Sequence, residues 1–203
     1  MRIYYKNRLI VFASDDSYTF YHGTDSDAFD EFDSSKAKKG EVFFNPLGDA
    51  MYVTDKQDFA KFFGKNVYPV KIPKDAKIKR MSPSIVERTI WDIINRSLKR
   101  CGINYWDTSS QFRLYLNEQL KRAKYSPYDA IIESVEVVNI HYPDKYKLFS
   151  DSVSLIATKK FSRYDVVIFI GTNNPNDIFI GESPTKEILI FNKEMQKIFR
   201  GDV

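Results

Sequence analysis

Tyr18-Thr19-Phe20-Tyr21-His22-Gly23-Thr24 is the stretch on which the reading of this chain turns. Aromatic and polar residues alternate up to a histidine, which predicts a strand with His22 emerging at its end. Gly23 has no Cβ, so the backbone there admits a close approach, and a ligand is the expected visitor. Working outward, a short apolar segment, Met51-Tyr52-Val53-Thr54, follows loop chemistry in Gly40, Asn45, Pro46 and Gly48. Thr54 or Asp55 is placed to cap a helix over Lys56–Phe63 that Gly64 ends. Val67 to Ile72 alternates like a strand, with Pro69 tolerable only at a sheet edge.

Three stretches then stand in order: Tyr21-His22-Gly23-Thr24, Gly48-Asp49-Ala50-Met51-Tyr52-Val53-Thr54 and Thr185-Lys186-Glu187-Ile188-Leu189-Ile190-Phe191-Asn192. Together they resemble the ADP-ribosyltransferase superfamily, in the His, Tyr, Glu branch of diphtheria toxin and the poly(ADP-ribose) polymerases. The resemblance covers roughly residues 19–72 and 163–198 and leaves the middle of the chain unexplained. It implies an α+β fold in which two small, mostly antiparallel sheets form an NAD cleft, with a helical insertion. It also implies a small bacterial or phage-type enzyme, toxin-like in character, that transfers ADP-ribose from NAD to a protein or nucleic acid in a bacterial cytoplasm.

By the same resemblance His22 bonds a ribose hydroxyl of the adenosine half, and the Gly23 backbone holds the nicotinamide carboxamide. Tyr52 stacks on the nicotinamide ring. Phe63, eleven residues on, supplies a second ring face, with Phe62 competing for that place. Thr24 and Thr54 complete the implied NAD-binding set. Glu187 is the implied catalytic carboxylate: it accepts from the nicotinamide-ribose 2′-hydroxyl and faces the cation that develops as the glycosidic bond breaks. Glu182 and Glu194 lie nearby, but Glu187 is the one an apolar strand follows directly. Thr185 stands where arginine-modifying relatives carry a second acid, which disfavours arginine as acceptor.

Each of these residues also has an ordinary use. A strand-end histidine is commonly satisfied by backbone, a strand tyrosine commonly faces the core, and a glutamate at a strand edge commonly faces water. Two further functions stay open on the same residues: hydrolysis of NAD without transfer, and a non-catalytic binding module. A nucleic-acid-binding protein is a third, suggested only by basic helices.

Composition narrows the classes. The 203 residues predict one domain over 1–203, large enough for a full core. The N-terminus, Met1-Arg2-Ile3-Tyr4-Tyr5-Lys6, lacks the apolar core of a signal peptide, and no apolar run has membrane-span length. A cytoplasmic protein without membrane partners is expected. The single cysteine, Cys101, rules out an intrachain disulfide and fits a reducing compartment. With only His22 and His141, a histidine metal site is not expected, and neither a Gly-x-Gly-x-x-Gly nor a Gly-Lys-Ser/Thr phosphate loop is present.

Charge is uneven. Residues 71–124 hold 13 Lys/Arg against 5 Asp/Glu, a net +8 in a chain of net +4. Much of that excess falls on a predicted two-helix insertion at about 82–126. Its first helix opens on the capping box Ser84-Ile85-Val86-Glu87 and closes at Gly102; its second spans about Ser109–Lys124. The stretch 71–124 is a candidate dock for the macromolecular acceptor.

The remainder reads as β-structure. An extended or hairpin segment is expected over 2–12. Strands are expected at 129–133, 135–138, 178–180 and 187–191, with apolar runs at 152–158 and 165–170. A turn is expected at 173–177 and a short helix at Lys193–Phe199.

Overall fold

The structure, a computed structural model, describes residues 2–5, 8–11, 17–26, 47, 50–123, 127–169 and 187–196. Its strands are β1 (Arg2–Tyr5), β2 (Arg8–Val11), β3 (Ser17–Thr24), β4 (Met51–Thr54), β5 (Asn66–Pro73), β6 (Ile78–Met81), β7 (Val166–Phe169) and β8 (Glu187–Ile190). Its helices are α1 (Gln57–Ala60), α2 (Pro83–Arg100), α3 (Ser110–Arg122), α4 (Pro127–His141) and α5 (Tyr146–Phe161). The expected hairpin over 2–12 is present as β1 paired with β2.

The other six strands form one mixed sheet in the order β5-β3-β4-β8-β7-β6, antiparallel except for β6 beside β7. The class is therefore α+β as expected, but one six-stranded sheet stands where two small ones were expected. β5 is an edge strand, so Pro69, which has no N–H to give a neighbour, sits where the missing donor costs least. All four residues of β7 are buried, as are Ile188, Leu189 and Ile190. Strands covered on both faces read as unbroken apolar runs, and these two do.

The two faces bury different cores. Phe20, Met51, Val53, Val70, Ile72, Val166, Ile168, Ile188 and Ile190 form one. On the opposite face Val167, Phe169 and Leu189 join Ile90, Ile94, Phe112, Leu116, Ile131, Val135, Phe149 and Val153 from the helices. Each large apolar side chain so buried contributes about 1.5–3 kcal/mol.

The helices bring the main corrections. Residues 129–133 and 135–138, expected as strands, lie inside α4. Their buried positions, Ala130, Ile131, Ser134, Val135, Val137 and Val138, recur at helical spacing, and the Ser134 hydroxyl donates to the Ala130 carbonyl at 2.6 Å. β-Branched residues lower helix propensity only slightly, and packing on α2, α3 and α5 outweighs it. The apolar run 152–158 belongs to α5. The two expected helices, α2 and α3, pack together with α4 and α5 on one face of the sheet.

Smaller differences concern ends. α2 starts at Pro83 with Ser82 as N-cap, so Ser84 and Glu87 form no capping box there. Its end is as expected: Ile103 N–H donates to the Leu98 carbonyl at 2.9 Å, Gly102 N–H to Lys99 at 3.1 Å, and Gly102 has φ 72°. That pairing needs a left-handed residue, which glycine supplies. The Ser109 hydroxyl caps α3, accepting from Phe112 N–H at 3.2 Å. The expected helix over Lys56–Phe63 is one α-turn followed by a 3₁₀ turn, Lys61–Phe63, and its N-cap is Lys56 rather than Thr54 or Asp55. Strand β6 was not expected at all. Of the expected helix over Lys193–Phe199, the described residues show a 3₁₀ turn, Lys193–Met195, and 197–199 lie outside them. The expected features at 173–186 lie outside the described residues. Among those described, no helix is long and apolar enough to cross a membrane.

Candidate active site

Three neighbouring strands carry the three motif residues. His22 is on β3, Tyr52 on β4 and Glu187 at the first position of β8, and the strands adjoin in that order. Thr54 ties them together in register, standing opposite Tyr21 on one side and Glu187 on the other. Residues up to 165 positions apart in the chain therefore meet at one end of the sheet.

Around this row each predicted residue has a definite setting. His22 is half-buried, and its Nδ1 lies 2.8 Å from the Tyr52 carbonyl. A carbonyl only accepts, so Nδ1 carries the proton and Nε2 is the acceptor nitrogen of the neutral ring. Burial holds the imidazole below its ordinary value of 6.5, and the bond to Tyr52 offsets part of that shift.

Internal packing leaves no room for a side chain at Gly23. A Cβ there would collide with the Ala60 carbonyl and come within 3.2 Å of Phe63 Cβ. The side on which a Cβ would project is taken up by α1 and the 3₁₀ turn after it. Of the two phenylalanines, Phe63 has its Cβ within 3.2 Å of where a Gly23 Cβ would stand.

Tyr52 is half-buried against the helical-side core, as the ordinary reading of a strand tyrosine has it. Its hydroxyl oxygen accepts from Leu47 N–H at 3.1 Å, and its ring meets Tyr128 edge-on, with centroids 5.4 Å apart. Tyr128 is the residue that sequence reasoning missed here. It lies at the start of α4, and the helical spacing of Ala130, Ile131, Ser134 and Val135 was the available signal.

Phe63 is 63% exposed and Phe62 79%, both unusual for phenylalanine, with Phe59 tucked against the two at 5.4 and 5.8 Å. The two threonines serve turns. Thr54 is buried and accepts from Lys56 N–H at 3.4 Å; Thr24 accepts from Ser26 N–H at 3.1 Å. Next to Thr24, Asp25 Oδ1 accepts from Lys65 N–H at 3.1 Å and Asn66 Nδ2 donates to the Ser26 carbonyl at 2.9 Å. Gly64 lies so close to the Thr24–Asp25 backbone that no side chain fits there. The rim beyond His22 is thus stitched to the start of β5.

Glu187 is placed by its backbone alone, opposite Thr54 and Phe169. Glu182 lies outside the described residues, and Glu194 falls on the 3₁₀ turn beyond β8. Two surface hollows of the helical layer, one lined by Cys101, Tyr142 and Lys145, the other by Trp91, Asp92 and Lys160, include none of the motif residues.

No protein-family model, no curated protein and no solved structure matches this chain.

Proposed function

We propose that this chain is an NAD-dependent mono-ADP-ribosyltransferase with an ADP-ribosyltransferase-like fold, moving ADP-ribose from NAD to a protein or nucleic acid. The observation that supports the reading is the adjacency of β3, β4 and β8, with Thr54 in register with both Tyr21 and Glu187. A reaction through an oxocarbenium-like state needs a ring held flat, a ribose oriented and a carboxylate near the developing charge. Tyr52 and the exposed ring of Phe63 are the aromatic groups at hand. His22 is assigned the role of orienting a ribose hydroxyl. Glu187 is assigned the carboxylate's role. The nicotinamide–ribose bond breaks with its electron pair leaving on nicotinamide, and an acceptor nucleophile joins the ribose carbon as it loses a proton.

The test is incubation with labelled NAD and a bacterial lysate, followed by protease or nuclease. Label lost to one of the two treatments supports transfer and identifies the acceptor class. Free ADP-ribose without labelled macromolecule makes the protein a hydrolase. Formation of neither product would overturn the proposal.

A second reading has its own observation. His22 and Gly23 are both accounted for by internal packing, the first by the Tyr52 carbonyl and the second by Ala60 and Phe63. On that reading the motif is scaffold and the protein a non-catalytic module. Binding of an inert NAD analogue that Tyr52→Ala abolishes would exclude a purely structural motif.

A further inference from the structure

We propose that the β6 edge of the sheet is a docking surface for the phosphate backbone of a nucleic acid. Three cationic groups surround one aromatic ring there. The Nζ atoms of Lys77 and Lys79 lie 5.5 and 6.0 Å from the Tyr164 ring centroid, and the Arg163 guanidinium carbon lies 5.0 Å from it. Among the described residues no carboxylate forms an ion pair with any of them. Asp165 is nearby, but its Oδ2 accepts from Lys77 N–H and its Oδ1 from Asn192 Nδ2, both at 2.8 Å, and so joins strand ends.

Lysines on an edge strand have a simpler use, which is to repel foreign strands. That accounts for Lys79. It does not account for Lys77, which precedes β6, or for Arg163, which lies in the turn between α5 and β7. Cation–π attraction to Tyr164 gathers cations from two distant parts of the chain, and an anion laid across them would offset their mutual repulsion. The ring's surroundings are taken up by those cations, so the surface offers charge rather than the apolar anchor on which protein partners depend. A chain of phosphates needs only the charge. The surface is also distinct from the motif end: Tyr164 precedes Val166, which pairs with Ile190, whereas Glu187 pairs with Phe169 at the far end of the same two strands. The inference does not depend on NAD chemistry.

The test is titration of a fluorescent single-stranded oligonucleotide, and of its duplex, over a range of salt. Native protein is expected to bind with affinity that falls as salt rises, and Lys77→Gln/Lys79→Gln/Arg163→Gln to bind more weakly. If each cation meets one phosphate, the variant's slope of log affinity against log salt is shallower by about 2 for the single strand. Lys77→Glu/Lys79→Glu/Arg163→Glu should bind more weakly still, and the glutamine variant decides if this one does not fold. Reversal of Arg96, Lys99 and Arg100 on α2 is the control and should leave most of the affinity. Unchanged binding by the glutamine variant, an equal loss in the α2 control, or displacement by poly-glutamate at matching charge concentration would overturn the proposal. The last result would assign the surface to an acidic protein.

Discussion

The imidazole Nδ1 of His22 lies 2.8 Å from the Tyr52 carbonyl, beside the Tyr21–Thr54 bridge that pairs β3 with β4. β3 pairs with β5 over eight residues but with β4 at one position among the described residues. The imidazole therefore contributes to the seam between two motif strands where backbone pairing is sparse. A residue expected to orient a dinucleotide is also part of the joint that sets Tyr52 relative to Gly23.

That joint is expected to be pH-sensitive, and the sign follows from the burial of the ring. The unfolded chain takes up a proton at the ordinary value of 6.5, whereas folded His22 does so only lower. Between the two values the unfolded state binds more protons, so stability rises with pH. The His22 contribution is complete above 6.5 and is lost as pH falls from there toward the folded value. Melting temperature is expected to drop on going from about pH 7.5 to about pH 5.5, and to drop less in His22→Gln, whose amide can donate to the same carbonyl without titrating. Parallel pH profiles for the two proteins would remove His22 as the responsible group.

Two glycines separate collision from backbone strain. In Gly23→Ala the new Cβ meets the Ala60 carbonyl, which is backbone and cannot swing away, so α1 must shift. A cost of about 1–3 kcal/mol is expected in urea unfolding. Gly102→Ala meets nothing within 4 Å and suffers only from its left-handed φ of 72°, at about 1–2 kcal/mol. Gly23→Ala should also speed amide hydrogen exchange of the α1 segment, while Gly102→Ala leaves it unaltered. An unperturbed α1 in Gly23→Ala would mean that the glycine is not required for this packing.

For Tyr52 the ring and the hydroxyl are separable. Tyr52→Phe deletes the acceptor for Leu47 N–H, which should lower stability by about 1 kcal/mol while leaving NAD affinity nearly unchanged. Tyr52→Ala removes the ring as well, taking away both the contact with Tyr128 and the proposed stacking face. It should weaken both folding and NAD binding, as read by a urea melt and a calorimetric titration. Equal loss of NAD affinity in the two variants would transfer the binding role from the ring to the hydroxyl.

The strands of the candidate site were legible because their patterns are local. Tyr18 to His22 alternates, Pro69 marks an edge, and Ile188 to Ile190 is an apolar run that only a central strand would bury. α4 was not legible by the same means. Ile131, Ile132, Val135, Val137 and Val138 favour strands residue by residue, and only their spacing, supported by three packed helices, favours the helix. Tyr128 was lost with that helix, since its meeting with Tyr52 depends on a fold that brings together residues 76 positions apart. The role of Gly23 was hidden for a related reason. Glycine signals close approach, but whether a ligand or a neighbouring helix approaches is decided by tertiary structure.

Glu187 carries the heaviest part of the proposed function, and its substitution is the most direct test. A carboxylate that faces a cation formed only on the way to the transition state contributes little to the affinity for ground-state NAD. Glu187→Gln preserves size and a hydrogen-bonding group but removes the charge. Turnover is therefore expected to fall by about 3–4 kcal/mol, a factor of roughly 10²–10³, with NAD affinity held within a few-fold. Glu194→Gln, on the 3₁₀ turn beyond β8, should keep near-native turnover. Glu182→Gln should do the same, because the apolar strand that follows Glu187 has no counterpart directly after Glu182. Single-turnover release of nicotinamide, measured beside binding of an inert NAD analogue, distinguishes a chemical defect from a binding defect. Native turnover in Glu187→Gln would sink the assignment, and a collapse confined to Glu182→Gln or Glu194→Gln would move the catalytic role to that residue.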